Sequence, residues 1–92
     1  MCTGIVETAE VSGSGKGPRG WFKLERVNVS YDHPSDAPLK QSLNIDFVNL
    51  NQSPSARVAV ELSPESARKL VKAILTALSQ VTPAVIDASI HT

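Results

Sequence analysis

Apolar and polar residues alternate in four stretches of this chain, and a three- and four-residue spacing takes over after them. Ala67, Leu70, Val71, Ile74, Leu75, Leu78 and Val81 recur at helical spacing and make one apolar stripe. Arg68, Lys69 and Lys72 fall off that stripe. Ser63 suits the N-cap, Pro64 the first helical position, and Glu65 the positive end of the helix dipole. Thr82-Pro83 ends the pattern, because the residue before proline is pushed out of the α region. The spacing therefore predicts a helix of about 18 residues from Ser63 to Val81, roughly 27 Å long. A strand of about eight residues has the same length, so the helix is expected to pack across a sheet.

The alternating stretches supply that sheet. Thr3 to Val11 reads as the first strand, although Glu7 interrupts its apolar side. Ser12 to Gly20, with its Gly-Ser-Gly-Lys-Gly run, reads as a flexible connection. Trp21 to Asp32 reads as the second strand. Its apolar residues shift from even positions (Phe22, Leu24) to odd ones (Val27, Val29, Tyr31), which predicts a bulge or bend near Glu25. His33 to Gln41 is a loop with two prolines. Ser42 to Leu50 is the third strand, Asn51 to Ser55 a turn, and Ala56 to Leu62 the fourth strand. The fold class that follows is α+β: a four-stranded antiparallel meander with one long C-terminal helix on one face. Residues 1–82 form the domain. Residues 83–92 form a tail or arm whose segment Ala84 to Ile90 suits a fifth edge strand, an arm across a partner or a frayed end.

Alternation also sorts the two sheet faces. Val27, Val29, Leu43, Ile45, Phe47, Val58, Val60 and Leu62 share the face under the helix. Arg26, Asn28, Ser30, Asp32, Asn44, Asp46, Arg57 and Glu61 share the other. Antiparallel sheets often leave one face wet. Yet Asn and Asp are disfavoured in mid-strand, and residues that break a local rule often serve a function.

Composition narrows the classes. At 92 residues, with 41% apolar residues, the chain is one small globular domain. So small a domain buries a modest share of its surface, and a homo-oligomer is expected. Nine basic residues balance nine acidic ones. That balance, with no basic stripe interleaved with aromatics, argues against nucleic acid or anionic membrane as a partner. A single cysteine allows no internal disulfide. With no signal peptide and no apolar run near 18 residues, a cytoplasmic protein is expected. The triplets at Asn28 and Asn51 that resemble glycosylation acceptors are then incidental.

Candidate chemistry gathers in few places. Gly13 to Gly17 invites a phosphate-loop reading, but Gly17 and Pro18 follow Lys16 and a strand follows them, so the motif fails. Lys16 and Arg19 are kept as residues that could close over an anionic ligand. Tyr31-Asp32-His33-Pro34 is the densest reactive cluster. His33 could act as general base or ligate a metal, though neighbouring strand residues point oppositely, so Asp32 need not touch it. With its initiator methionine removed, the chain would present the α-amine and thiol of Cys2 together, a nucleophile with its own base. Cys2, His33 and either Asp32 or Asp46 could make a three-ligand metal site, but no close ligand spacing supports one. The plain alternatives are a buried small thiol, a turn-initiating Asp-His-Pro and a solvated sheet face.

Several pieces together resemble a family of small bacterial proteins of unknown function. They are Met1-Cys2-Thr3, the Gly-Ser-Gly-Lys-Gly loop before Gly20-Trp21-Phe22, Tyr31-Asp32-His33-Pro34, Ala37-Pro38-Leu39, Asn44 to Asn49 and Arg57 to Leu62. The resemblance spans residues 1 to about 80 and transfers no activity. It implies that Cys2 belongs to the family pattern.

Three functional expectations follow. The first is a small-molecule or catalytic site on the polar face or between subunits, with Tyr31, Asp32, His33, Asn44 and Asp46 lining it and Cys2 nearby. His33 or Asp46 would move protons, Tyr31 and Asn44 would orient substrate, and Cys2 would be nucleophile or ligand. The second is a non-enzymatic interaction module anchored by Trp21. The third is a metal-binding protein using Cys2 and His33. No cofactor is named by the sequence.

Overall fold

The computed structural model describes residues 4–52 and 55–81. Cys2, Pro54, His91 and the segment after Val81 lie outside them. The strands are β1 (Ile5–Gly17), β2 (Gly20–Asp32), β3 (Ser42–Val48) and β4 (Arg57–Leu62), followed by the helix α1 (Pro64–Ser79). All three strand pairings are antiparallel and the spatial order is β1-β2-β3-β4. The protein is thus an α+β meander with one C-terminal helix.

Register fixes the faces. Val27 pairs with Phe47, Val29 with Ile45 and Tyr31 with Leu43. Phe47 then pairs with Val58, Ile45 with Val60 and Leu43 with Leu62. Residues directly opposite share a face, so the apolar set expected from alternation stands together. The remaining parity places Asn44 beside Ser30 and Glu61, and Asp46 beside Asn28 and Ala59.

The glycine-rich stretch is strand, not loop. Gly13 to Gly17 pairs residue by residue with Gly20 to Leu24, and only Pro18 and Arg19 turn the chain. The reason is close approach. A Cβ on Gly15 would lie 3.0 Å from Leu24 Cδ2 and 3.3 Å from Val58 Cγ2. One on Gly17 would lie 3.2 Å from Phe22 Cε1 and 3.4 Å from the Arg57 carbonyl. The hairpin tip therefore curls over the start of β4, and side chains on its inner surface would block it. The expected bend near Glu25 is present as a register shift between Glu10 and Gly13. The extra residue sits in β1, where Val11 and Ser12 stand against Glu25, a β-bulge of the two-against-one kind.

Asn49 ties this bend to the rest. Its buried side chain donates to the Lys23 carbonyl (2.9 Å) and accepts from Asn51 N–H (3.0 Å), while Asn51 donates to Glu25 (2.9 Å). β2 pairs with β3 only from Arg26 onward, and these bonds stand in for the ladder that its earlier residues lack.

The helix starts as its sequence dictates. Ser63 Oγ accepts from Ser66 N–H at 3.1 Å, Pro64 opens the first turn, and Glu65 lies 3.6 Å from Lys69. Packing departs from expectation. Among the helix residues only Ala67 is buried, and exposure along the stripe runs from 41% at Leu70 to 62% at Leu75. The first turns of α1 meet the Tyr31 and Leu43 end of the apolar face, and the rest of the helix stands clear. The cause is the connection: Ser63 alone separates Leu62 from Pro64. Connections between strand and helix normally take about two to six residues, and one residue cannot fold the helix back across the sheet. Among the described residues, Val48, Ala56 and Ala67 are the only buried apolar ones. The sheet face expected under the helix is only partly buried, and the stripe itself is left half in water. Each such side chain forgoes on the order of 1 kcal/mol, half of the burial term for a large aliphatic residue.

Candidate functional site

The polar sheet face carries an open groove of about 710 Å³. Ser30 from β2, Asn44 and Asp46 from β3, and Arg57 and Glu61 from β4 line it, with His33 and the Ser35–Ala37 loop at one end. Strand parity puts these side chains on one face, and pairing sets them side by side.

Asp46 and Arg57 form its most ordered contact. Arg57 Nε donates to Asp46 Oδ1 at 2.7 Å and its terminal nitrogen to Oδ2 at 2.8 Å. This fork-to-fork geometry fixes the guanidinium plane. The two residues sit diagonally on neighbouring strands, within reach for long side chains. Hydrogen bonding to Asp46, aided by its charge, holds the Arg57 pKa above the usual guanidinium value. Both groups are solvent-accessible, so the pair adds at most about 1 kcal/mol to stability.

Glu61 organises the loop that bounds the groove. Its carboxylate accepts backbone N–H bonds from Ser35, from Asp36 at 3.0 Å and from Ala37 at 3.1 Å. Three successive amides aimed at one anion make a nest-like cradle. The Ser35 bond first, then the Ala37 bond, holds the Glu61 carboxyl below its usual range. Deeper in the groove, Ser42 Oγ donates to Asn44 Oδ1, which leaves the amide nitrogen of Asn44 as its donor end.

His33 stands at the rim. Its Nδ1 lies 3.1 Å from the Lys40 carbonyl, which can only accept, so Nδ1 carries the proton in that contact. The neutral ring then has Nε2 as its basic nitrogen. Asp32 does not orient the imidazole through this contact; its Oδ1 accepts from the His33 backbone N–H at 2.7 Å and shapes the turn.

The expected site residues are thus partly gathered. His33, Asn44 and Asp46 share the groove. Tyr31 does not: its register partners Ile5 and Leu43 place it on the apolar face, where it lines the recess at the base of α1. Odd parity in β2 made this legible, and the Tyr-Asp-His run obscured it. Lys16 and Arg19 sit at the hairpin tip, beside Trp21 and Phe22, nearly the whole length of β2 from His33. Tight pairing of the tip takes away the mobile loop that was to bring them over a ligand. Cys2 falls outside the described residues, and among those residues no three His, Cys, Asp or Glu side chains converge as a metal site would need. Arg57 and Glu61 are the site residues not singled out beforehand. Opposite charges on one face of adjacent strands could have flagged Arg57; the cradle around Glu61 depends on a loop path that alternation does not encode.

Trp21 and Leu50 are each 71% exposed. No described helix is long and apolar enough to cross a membrane.

The meander, its bulged hairpin and this groove belong to a chain that is a member of a family of unknown function, DUF6295, whose model matches residues 1–87. The match extends beyond the stretch to about residue 80 that carried the resemblance. No curated protein and no solved structure matches the chain.

Proposed function

We propose that the polar groove binds a small polar molecule with an anionic group, in a self-associating cytoplasmic domain. The observation that carries this reading is the convergence of His33, Asn44 and the Asp46-braced Arg57 on one groove of small-molecule size. Arg57 pairs with the anionic group, because a guanidinium already held in one plane by Asp46 loses little freedom on binding. Asn44 donates through its amide, and His33 supplies an imidazole at the rim. Asp46 has both oxygens engaged by Arg57, which suits it to positioning more than to carrying protons. If the site is catalytic, His33 Nε2 is the group that moves a proton.

The test is a thermal-shift screen of small carboxylates, phosphates and amino acids, repeated on Arg57→Gln and Asn44→Ala. A hit that stabilises the native chain and is lost in both variants supports the reading. A hit kept in both, or none across the three classes, sets it aside. The exposed indole of Trp21 favours a second reading, an interaction module that docks a protein through the hairpin tip. Trp21→Ala would then abolish capture of that partner and leave any groove ligand bound.

A further inference from the structure

We infer that two copies of this chain exchange helices, the α1 of each lying across the apolar sheet face of the other. Both halves of such an interface are present on one chain, and neither is fully covered by it. The stripe of Val71, Ile74, Leu75 and Leu78 is half exposed or more. On the sheet, Val29, Ile45 and Val60 stand side by side across three strands and none is fully buried. The curled hairpin shields the Val58 end of that face, while the Tyr31 and Leu43 end opens into a recess of about 630 Å³ beneath α1.

Length, charge and connectivity all favour a second copy as the occupant. A 16-residue helix is about 24 Å long and the seven residues of β3 span about 23 Å. A helix about 10 Å wide therefore leaves a footprint of roughly 240 Å². Mutual exchange buries two helices and two sheet faces, at most roughly 1,000 Å² in all, which is about the threshold for a biological interface and marks a modest one. Arg68 and Lys72 border the helix stripe. Glu7 stands on the apolar sheet face opposite Val29, and among the described residues it forms no ion pair of its own. A helix arriving from another copy would bring its cations to that carboxylate. The one-residue link at Ser63 keeps the helix off its own sheet, the kind of short hinge that favours swapping. Exchange is reciprocal, so it closes at two copies and leaves no open end. The proposal is independent of what the polar groove binds, since that groove lies on the opposite face.

Disulfide trapping tests it. In a Cys2→Ser background, Ile45→Cys and Leu75→Cys are placed on separate chains, refolded together and oxidised. The expected product is a dimer joined between position 45 of one chain and position 75 of the other. A disulfide joining two Leu75→Cys chains would replace exchange with helix-to-helix pairing. A dimer that forms neither link would overturn this interface. The chain carrying both substitutions controls for folding back: it should lock as a covalent dimer, and a closed monomer would mean that the helix covers its own sheet.

Discussion

The two faces of this sheet differ in how far the single chain completes them. On the polar face, Arg57 is clamped by Asp46, Asn44 accepts from Ser42, and Glu61 gathers three loop amides. Every one of these partners comes from the same chain. On the apolar face, the strands present an aliphatic surface and the helix a matching stripe, yet a single-residue connection holds them apart. Strand register sets the Asp46–Arg57 and Ser42–Asn44 contacts, and the path of one loop adds the Glu61 cradle. Apolar burial needs a second layer, and its placement depends on the path of the connection. The groove is therefore closely bonded within the described residues, while the apolar layer is left partly open.

The contrast breaks most sharply at the stripe. Ile74→Asp places a charge where the exchanged helix would bury an aliphatic side chain, twice per pair of copies. Association should weaken by about 100-fold or more, read by sedimentation equilibrium, while the groove residues keep their chemical shifts. A variant that associates as tightly as the native chain would leave the stripe without a role.

The hairpin tip is the next place to press. Gly15→Val puts three carbons where Leu24 and Val58 already leave 3.0 and 3.3 Å for the first of them. Overpacking of this kind costs about 1 to 3 kcal/mol, measurable as a fall in the denaturant midpoint. No change would mean that the tip swings away from β4 at no cost.

A smaller effect is expected at Glu61. Its folded pKa is depressed, so the stability it contributes is present above the ordinary carboxylate value of 4.5 and is lost as pH falls through the lower folded value. Glu61→Gln should remove that part of the acid dependence. Hydrogen exchange should also quicken at the Ser35, Asp36 and Ala37 amides, which lose an anionic acceptor.

Asp46→Asn should matter least to the fold. An exposed pair contributes at most about 1 kcal/mol, so the denaturant midpoint should hardly move. Affinity for a groove ligand should nonetheless fall, because Arg57 loses the brace that sets its plane. A large drop in stability with unchanged affinity would make the pair structural.

Much of this was legible in the residues. Alternation in β2, β3 and β4 gave the two faces, and the Ser63-Pro64-Glu65 run gave the helix start. The even-to-odd switch beside Glu25 marked the bend, although the extra residue lies in β1. Three things were not legible, each for a physical reason. Glycine in Ser12 to Gly17 looks like flexibility, and only the approach to Leu24, Val58 and Phe22 shows that it makes room. An amphipathic stripe says that a helix has an apolar face, but not that a one-residue link will hold most of it away from its own sheet. The loop from His33 to Gln41 has no periodicity, so its amides could not be assigned to Glu61, nor the imidazole to the Lys40 carbonyl.

The most direct test is the mass of the native chain in solution across a concentration series, by sedimentation equilibrium. A species of twice the chain mass is expected, with Ile74→Asp shifting it towards the single chain. A native chain that stays single at the highest concentrations, with its stripe still exposed to solvent, would contradict it.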